Sequence, residues 1–234
     1  MNSADFLFPV PPQPALPVVG EERLFPVTRI FCVGRNYVEH AKEMGNEVDR
    51  EAPFYFLKPA LSLALSGATV PYALGTKNLH HEMELVVAIG ATAFRIAREN
   101  AMSAVYGYAC GLDMTRRDLQ QSAKDQRRPW DLGKAFENSA IAGPITKASA
   151  IPSLDGRRIR LSVNGEVRQD STLDELVWKV DELIAHLSRY YHLMPGDLLY
   201  TGTPAGVGPV HSGDVLEGSI DGLESLKLTL GPAE

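Results

Sequence analysis

The stretch HHEMELVVAIG at residues 80–90 decides how the rest of the chain is interpreted. Its apolar second half, rich in Val and Ile, predicts a buried strand that ends at Gly90. Side chains alternate along a strand, so Glu82 and Glu84 should project together, about 6–7 Å apart at Cα. Two ionised carboxylates at the edge of a core repel each other, which favours a hard divalent cation between them. The alternative is an exposed strand start with two solvated glutamates.

A third carboxylate ends a second apolar stretch. Glycines and aromatics within residues 106–113 predict a core strand packed closely against another backbone, and this strand ends at Asp113. Three carboxylates at two strand ends can supply three oxygen ligands, with water or substrate at the remaining octahedral positions. The sequence therefore predicts a divalent metal site.

Composition limits the class of protein. The 234 residues carry a net charge of −6, with 44% hydrophobic and 22% charged residues, as in ordinary globular domains. The chain lacks a basic block, an apolar run of about 18 residues and a basic signal-like start, which argues against nucleic-acid binding, membrane spans and secretion. Two cysteines, Cys32 and Cys110, imply no disulfide framework, so a cytoplasmic location is expected.

Local signals divide the chain further. Six prolines in residues 1–27 exclude a helix and predict an extended arm that lies across the body or a partner subunit. The polar residues 122–133 predict a mobile loop. Lys58 is interpreted as a solvated strand end, and the alternative is a side chain that reaches a pocket. Capping-box spacing at residues 172–175 predicts the start of an amphipathic helix that reaches Leu187. The loop TGTPAGVG at 201–208 can present amides and hydroxyls to an anion but lacks the ending of a phosphate loop.

A possible acid–base pair follows the first predicted strand. Turn residues Gly34 and Asn36 lead into a short helical segment in which His40 and Glu43 share a face. A carboxylate that orients an imidazole can help the imidazole polarise a water molecule. The alternative is a surface helix in which the pair occurs by chance.

Five motifs occur in an order and spacing that resemble the fumarylacetoacetate hydrolase family. They are CVGRNYVEHAKE at 32–43, HHEMELVVAIG at 80–90, GYACGLDMTRRDLQ at 107–120, GKAF at 133–136 and PGDLLYTGTPAGVG at 195–208. The resemblance covers nearly the whole chain beyond the N-terminal arm. It implies a β-rich α+β fold, a mixed β-sandwich roll with short peripheral helices, in a catalytic domain at residues 28–234 that usually forms a homodimer.

The resemblance also implies a set of site residues. It places one Mg²⁺ or Mn²⁺ ion at Glu82, Glu84 and Asp113. Larger family members have a further aspartate ligand where this chain has Val33, so water is expected to replace it. The remaining positions implied by the family are a catalytic dyad, His40 and Glu43, on a lid; a catalytic lysine, Lys134; and substrate contacts at Arg35, Arg117, Gln120 and Thr203.

The implied activity is hydrolysis of a carbon–carbon bond in a small-molecule 2,4-dioxo acid, an acylpyruvate. The stretch FPVTRIFCVGRNYVEHAKEMG at 25–45 resembles members that cleave fumarylpyruvate to fumarate and pyruvate in the gentisate route of aromatic degradation. Alternatives within the family are oxaloacetate decarboxylation or tautomerisation, and decarboxylation or isomerisation in homoprotocatechuate breakdown. An alternative of another class is a non-catalytic, metal-dependent binding protein. Arg116, where many relatives carry a small residue, either adds a substrate contact or points to solvent.

Overall fold

Strands dominate the computed structural model, which describes residues 6–37 and 52–234. The described strands are β1 (Ala15–Leu16), β2 (Phe25–Pro26), β3 (Arg29–Gly34), β4 (Phe54–Lys58), β5 (Leu63–Leu65), β6 (Thr69–Pro71), β7 (Leu79–His81), β8 (Met83–Ile89), β9 (Val105–Asp113), β10 (Thr115–Arg116), β11 (Ala140–Ala142), β12 (Thr146–Lys147), β13 (Arg158–Val163), β14 (Glu166–Thr172), β15 (Asp197–Tyr200), β16 (Gly208–Pro209), β17 (Val215–Ile220) and β18 (Leu226–Gly231). The described α-helices are α1 (Arg98–Ala101), α2 (Arg117–Asp125), α3 (Asp131–Lys134) and α4 (Val180–Leu187).

Two sheets carry most of these strands. The larger has the order β4-β3-β15-β8-β9-β11-β5, with β12 paired to β9, and the second has the order β14-β13-β17-β18-β6. Both are mixed, since β15 runs parallel to β3 and antiparallel to β8, and β18 runs parallel to β6. Apolar side chains of the two sheets pack into one cluster, for example Leu85 of β8 with Leu161 and Leu216. The predicted β-rich α+β sandwich with short helices is confirmed.

Strand β8 is buried along its whole length because both faces of the large sheet are covered. Leu85, Val87 and Ile89 point into the cluster shared with the second sheet, whereas Val86 and Ala88 belong to a second cluster. A strand buried on both faces is a continuous apolar run rather than an alternating one. The predicted end of this strand before Gly90 is confirmed.

Residues of the N-terminal region line that second cluster. Leu16, Val18, Phe25 and Val27 are all buried there. Short strands β1 and β2 pair with each other, and the Val19 amide donates to the Ile145 carbonyl at 2.9 Å. These contacts hold residues 14–27 against the face of the large sheet that points away from the second sheet. A boundary after residue 27, between an N-terminal arm and a catalytic domain, is a proposal.

Two local predictions differ from the structure. Within the stretch 122–133, predicted as a mobile loop, only residues 126–130 lie outside helices, because α2 extends to Asp125 and α3 begins at Asp131. The amphipathic helix begins at Val180 rather than next to Thr172, after an isolated 3₁₀ turn at Leu173–Glu175. Within the described residues, no helix combines the length and hydrophobicity needed to cross a membrane.

Candidate active site

The three predicted ligand carboxylates come together at adjacent ends of β8 and β9. These strands are antiparallel, with Glu84 opposite Gly111, so Glu84 and Asp113 project from the same face of the sheet. Glu82 immediately precedes β8, and its carbonyl accepts a 2.9 Å hydrogen bond from the Asp113 amide. All three residues are buried, and one carboxylate oxygen of each lies within 4.8 Å of the others. We call Glu82, Glu84 and Asp113 the acidic triad.

Close packing explains the glycines that precede Asp113. A Cβ at Gly111 would lie 2.4 Å from Val86 Cγ2 on β8, and a Cβ at Gly107 would lie 2.4 Å from the Thr146 carbonyl oxygen. Contacts this short are not tolerated without movement of the strand. The sequence-based prediction of a core strand packed closely against neighbouring backbone is therefore confirmed. This close packing fixes the position of Asp113 at the end of β9.

Lys134 lies at the centre of the site, at the last residue of α3. Its buried ammonium donates 2.7 Å hydrogen bonds to Glu82 Oε2, Asp113 Oδ2 and Thr115 Oγ1. Burial alone would lower the pKa of Lys134, but the charges of Asp113 and Glu82 outweigh it and raise the pKa. The side chain is therefore a permanent cation between two members of the acidic triad.

Lys58 is a second buried cation, which corrects its interpretation as a solvated strand end. It is 2% exposed, and its ammonium lies 2.8 Å from Asp113 Oδ1. This approach is a charge contact without hydrogen-bond geometry, and Asp113 Oδ1 has no hydrogen-bond partner among the described residues. The ammonium instead donates to the carbonyls of Met114, at 3.2 Å, and Lys134. Lys58 thus joins β4 to the backbone on either side of the site.

Glu84 is the member of the triad whose negative charge is least offset by the buried lysines. Burial, followed by the charges of Asp113 and Glu82, raises the pKa of Glu84 well above its ordinary range. The Gly202 amide donates a 2.8 Å hydrogen bond to Glu84 Oε2. Gly202 has φ of +97°, and a Cβ there would lie 2.8 Å from Asn36 Cβ, so glycine is required for the loop to approach.

The donor set of the triad fits a hard divalent cation. Clustered carboxylate oxygens are the ligands that Mg²⁺ and Mn²⁺ prefer. Asp113 Oδ1 has an unused acceptor position, and a cation would relieve the repulsion that raises the pKa of Glu84. The residues present therefore fit the expected Mg²⁺ or Mn²⁺ cofactor.

Arg117 begins α2 and contacts the triad directly. Its guanidinium donates 2.6 Å hydrogen bonds to Glu82 Oε1 and Gln120 Oε1, and a 3.3 Å bond to His80 Nδ1. Burial and the Arg117 charge lower the pKa of His80 to about 4, so its imidazole is neutral and accepts this bond. Arg117 and Gln120 lie three residues apart on one helix face, as predicted, and Arg117 is also a charge partner of Glu82.

Gln169 is a buried side chain that sequence reasoning missed. Its Oε1 accepts a 2.9 Å hydrogen bond from the Met83 amide, and its Nε2 donates at 2.8 Å to Thr203 Oγ1. Because the Thr203 oxygen already accepts a bond, its own hydrogen is free to point toward another acceptor. The hairpin that carries Gln169 lies far from the site in sequence, so no local pattern indicates this contact.

A small cavity of about 30 Å³ adjoins the triad, and we call it the inner cavity. Its cationic lining residues are Arg35, Arg117, Lys124 and Lys134, and its carboxylates are Glu82 and Glu84. Burial, with the charges of Arg117 and Arg35, lowers the pKa of Lys124 to about 8. An anionic ligand would neutralise this excess of cations.

The inner cavity brings together the predicted substrate contacts Arg35, Arg117, Gln120 and Thr203. Val33, the position at which water is expected to replace an aspartate ligand, also lines this cavity. The predicted dyad residues His40 and Glu43 lie outside the described residues.

Arg116 is half-buried and packs against an aromatic ring. Its guanidinium carbon lies 4.2 Å from the centre of the Phe136 ring, and one nitrogen donates to the Leu132 carbonyl at 3.2 Å. It does not line the inner cavity. The side chain therefore braces α3 from outside the site.

Comparisons with known proteins match nearly the whole chain. The family described as fumarylacetoacetate (FAA) hydrolase C-terminal matches residues 29–230. A fumarylpyruvate hydrolase of Ralstonia sp is 51% identical over 193 residues, which are 82% of this chain and 100% of that protein. An oxaloacetate tautomerase of Escherichia coli is 42% identical over 201 residues, covering 85% of this chain and 90% of that protein.

A solved structure agrees with the fold. Fumarylpyruvate hydrolase from Pseudomonas aeruginosa, crystallised with Mn²⁺ and pyruvate, superposes with a TM-score of 0.93 at 46% identity. The match covers 97% of this chain and 99% of that one. The family match spans both sheets and every described residue of the predicted site. This chain belongs to the fumarylacetoacetate hydrolase family.

Proposed function

We propose that this chain is a metal-dependent hydrolase that cleaves a carbon–carbon bond of fumarylpyruvate, a 2,4-dioxo acid, to give fumarate and pyruvate. The observation that carries the proposal is a buried acidic triad beside a cavity with four cationic side chains. Similarity to fumarylpyruvate hydrolases from Ralstonia and Pseudomonas supports this choice of substrate.

Binding and orientation fall to the residues around the inner cavity. Arg117 and Gln120 hold the keto-acid carboxylate, because a guanidinium can donate two parallel hydrogen bonds to it. The Thr203 hydroxyl, whose oxygen accepts from Gln169, donates to a substrate oxygen. Arg35 lines the same cavity and adds positive charge toward the dianionic substrate.

The chemical step uses the proposed dyad and Lys134. His40, oriented by Glu43, takes a proton from the water that attacks the carbonyl farther from the keto acid. The bond between that carbonyl carbon and the neighbouring methylene breaks, releasing fumarate and the enolate of pyruvate, which is then protonated at the methylene carbon. Lys134 stabilises the developing negative charge as a preorganised buried cation. When bound to the triad, Mg²⁺ or Mn²⁺ supplies Lewis-acid polarisation of the substrate oxygens.

Oxaloacetate is the second candidate substrate because the Escherichia coli relative is an oxaloacetate tautomerase. Both substrates are 2-oxo acids that can chelate a metal and pass through an enolate. Tautomerisation needs only proton transfer, whereas cleavage of fumarylpyruvate also needs an attacking water. Decarboxylases and isomerases that act on homoprotocatechuate intermediates use the same enolate chemistry and remain a third possibility.

The test is a side-by-side assay of fumarylpyruvate, other acylpyruvates, oxaloacetate and homoprotocatechuate-pathway diacids, with Mg²⁺ or Mn²⁺ and direct identification of products. We expect fumarate and pyruvate in equal amounts, with kcat/KM for fumarylpyruvate well above the values for the other substrates. Preferred turnover of oxaloacetate would overturn the assignment. Absence of any metal-stimulated turnover would favour the non-catalytic binding protein.

We further propose a homodimer in the cytoplasm that acts in gentisate degradation. Exposed apolar side chains support an interface between copies: Leu7 and Phe8 in the N-terminal region are 95% and 80% exposed, and Leu57 on edge strand β4 is 46% exposed. Cys32 and Cys110 are buried free thiols, as expected in a reducing compartment. Light scattering coupled to gel filtration tests the dimer, and a mass of one chain would contradict it.

A further inference from the structure

A larger cavity opens beside the inner cavity. It has a volume of about 570 Å³, and its wall includes Arg35, Phe56, Arg128 and Trp130. We call it the outer cavity. Four residues line both cavities, Arg35, Phe56, Trp130 and Lys134, so the two cavities adjoin each other.

The sizes of the two cavities assign different parts of the substrate to them. One water molecule requires roughly 10–15 Å³ of cavity volume. The inner cavity, at about 30 Å³, therefore has room for only a few atoms beside the triad. A seven-carbon dioxo diacid is much longer. With the keto-acid end at the triad, the acyl end would extend past the residues that line both cavities toward the outer cavity.

Aromatic rings form the wall along this route. The ring centres of Phe54 and Trp130 are 5.1 Å apart, and those of Phe56 and Trp130 are 6.0 Å apart. The Lys134 ammonium lies 5.0 Å from the centre of the Phe56 ring, which links this wall to the acidic triad. Flat apolar walls suit a planar, conjugated acyl chain.

Two arginines at the outer cavity can bind an anion. Within residues 6–37 and 52–234, Arg35 and Arg128 form no salt bridge, although Asp131 also lines the cavity. Arg35 packs over the Phe54 ring at 5.8 Å and has φ of +59°, a backbone conformation that few non-glycine residues adopt. Arg128 lies in the turn between α2 and α3, and its backbone amide donates a 2.8 Å hydrogen bond to the Ala123 carbonyl.

We propose that Arg128, together with Arg35, binds the second carboxylate, at the acyl end of the substrate. The outer cavity then selects acylpyruvates that are dicarboxylates over those with an uncharged acyl end. This inference rests on the proposed function and adds Arg128 to it as a specificity-determining residue.

The test compares two substrates that differ only at the acyl end. Fumarylpyruvate carries a terminal carboxylate, and crotonylpyruvate has a methyl group in its place on the same trans-unsaturated chain. The quantity measured is the ratio of kcat/KM for fumarylpyruvate to kcat/KM for crotonylpyruvate. Arg128→Gln should lower this ratio roughly 10-fold, as expected for loss of a hydrogen bond between charged groups.

Arg127→Gln is the matched control, because this neighbouring arginine is also exposed but does not line the outer cavity. Its ratio should equal the parent's. Arg128→Lys should keep part of the preference by retaining the charge. An unchanged ratio in Arg128→Gln, or an equal fall in Arg127→Gln, would overturn the inference.

A binding measurement separates this inference from the proposed function. Calorimetry in the presence of Mn²⁺ compares binding of fumarate and crotonate to the parent and to Arg128→Gln. Weaker fumarate binding in the variant supports a carboxylate site at Arg128, whether or not the parent cleaves an acylpyruvate. If the parent cleaves none, only the proposed function fails. Unchanged fumarate affinity would contradict the site regardless of turnover.

Discussion

The acidic triad and the outer cavity adjoin each other but are built differently. The triad lies at adjacent ends of the buried strands β8 and β9, where Lys58 and Lys134 contact Asp113, Lys134 contacts Glu82, and the Gly202 amide binds Glu84. The outer cavity is bounded by β4 and by the turn between α2 and α3, and its arginines are exposed. The difference separates two roles: the strand ends hold the proposed metal ligands, and the exposed turn between α2 and α3 carries the arginine proposed to select the acyl group.

Removal of a triad ligand is expected to have the largest effect. Asp113→Ala should lower metal-stimulated turnover by roughly 10³-fold or more, because a catalytic metal supplies several kcal/mol of transition-state stabilisation. The midpoint of thermal unfolding should fall, because the change removes the carboxylate that the buried Lys58 and Lys134 contact, and the relief of repulsion with Glu84 offsets only part of this loss. Asp125→Asn, which changes an exposed carboxylate on α2, is the control. Metal-stimulated turnover equal to the parent's in Asp113→Ala would remove Asp113 from the site.

The dyad is predicted to matter for hydrolysis more than for other reactions at the triad. His40→Ala should lower fumarylpyruvate hydrolysis by roughly 10²–10⁴-fold, the usual contribution of a positioned general base. Glu43→Gln should lose less, because Glu43 orients the imidazole without taking the proton. Decarboxylation of oxaloacetate requires no attacking water and should suffer less in both variants. Equal loss of both activities in His40→Ala would assign the histidine a different role.

Arg117 contacts Glu82 of the triad and also lines the inner cavity. Its replacement therefore distinguishes an effect on substrate binding from an effect on metal binding. Arg117→Lys should lower kcat/KM by roughly 10–100-fold, mainly through KM, because lysine cannot make the paired contacts to a carboxylate. Mn²⁺ affinity, measured by calorimetry, should fall less than KM rises. Arg116→Lys is the matched control, since this adjacent arginine stacks on Phe136. Kinetics of Arg117→Lys that match the parent's would exclude it from substrate binding.

Lys58 should affect stability more than turnover. Lys58→Met leaves Asp113 without one of its two buried cations, so the free energy of unfolding should fall by about 3–5 kcal/mol in chelator. Saturating Mn²⁺ should recover part of this loss, because a cation bound at the triad replaces the missing charge. Urea unfolding with and without Mn²⁺ measures both values. An equal loss in the two conditions would show that Lys58 does not act through the triad.

Sequence patterns predicted the triad because its determinants are local. One apolar strand begins beside Glu82 and Glu84, and another ends at Asp113, which the sequence shows directly. The glycines of β9 indicate close backbone packing. The Gly/Thr loop was predicted to present amides to an anion, and the Gly202 amide does bond to the Glu84 carboxylate. The expected substrate contacts, by contrast, came from the family resemblance rather than from residue spacing.

The predictions that were wrong depend on tertiary contacts. The helix expected next to Thr172 starts later because Asn36 binds the intervening backbone: its carbonyl accepts from the Val177 amide and its Oδ1 from the Trp178 amide. Lys58 is buried only because β4 ends beside Asp113, which is distant in sequence. No local pattern could indicate either contact.

Anomalous diffraction from crystals soaked in Mn²⁺ tests directly whether Glu82, Glu84 and Asp113 together hold one divalent cation. We expect a single strong manganese peak per chain, bounded by the carboxylate oxygens of these three residues. Asp113→Ala crystals treated in the same way should lack this peak. A manganese peak at any other position in the parent, or the same peak retained in Asp113→Ala, would show that these three residues do not form the metal site.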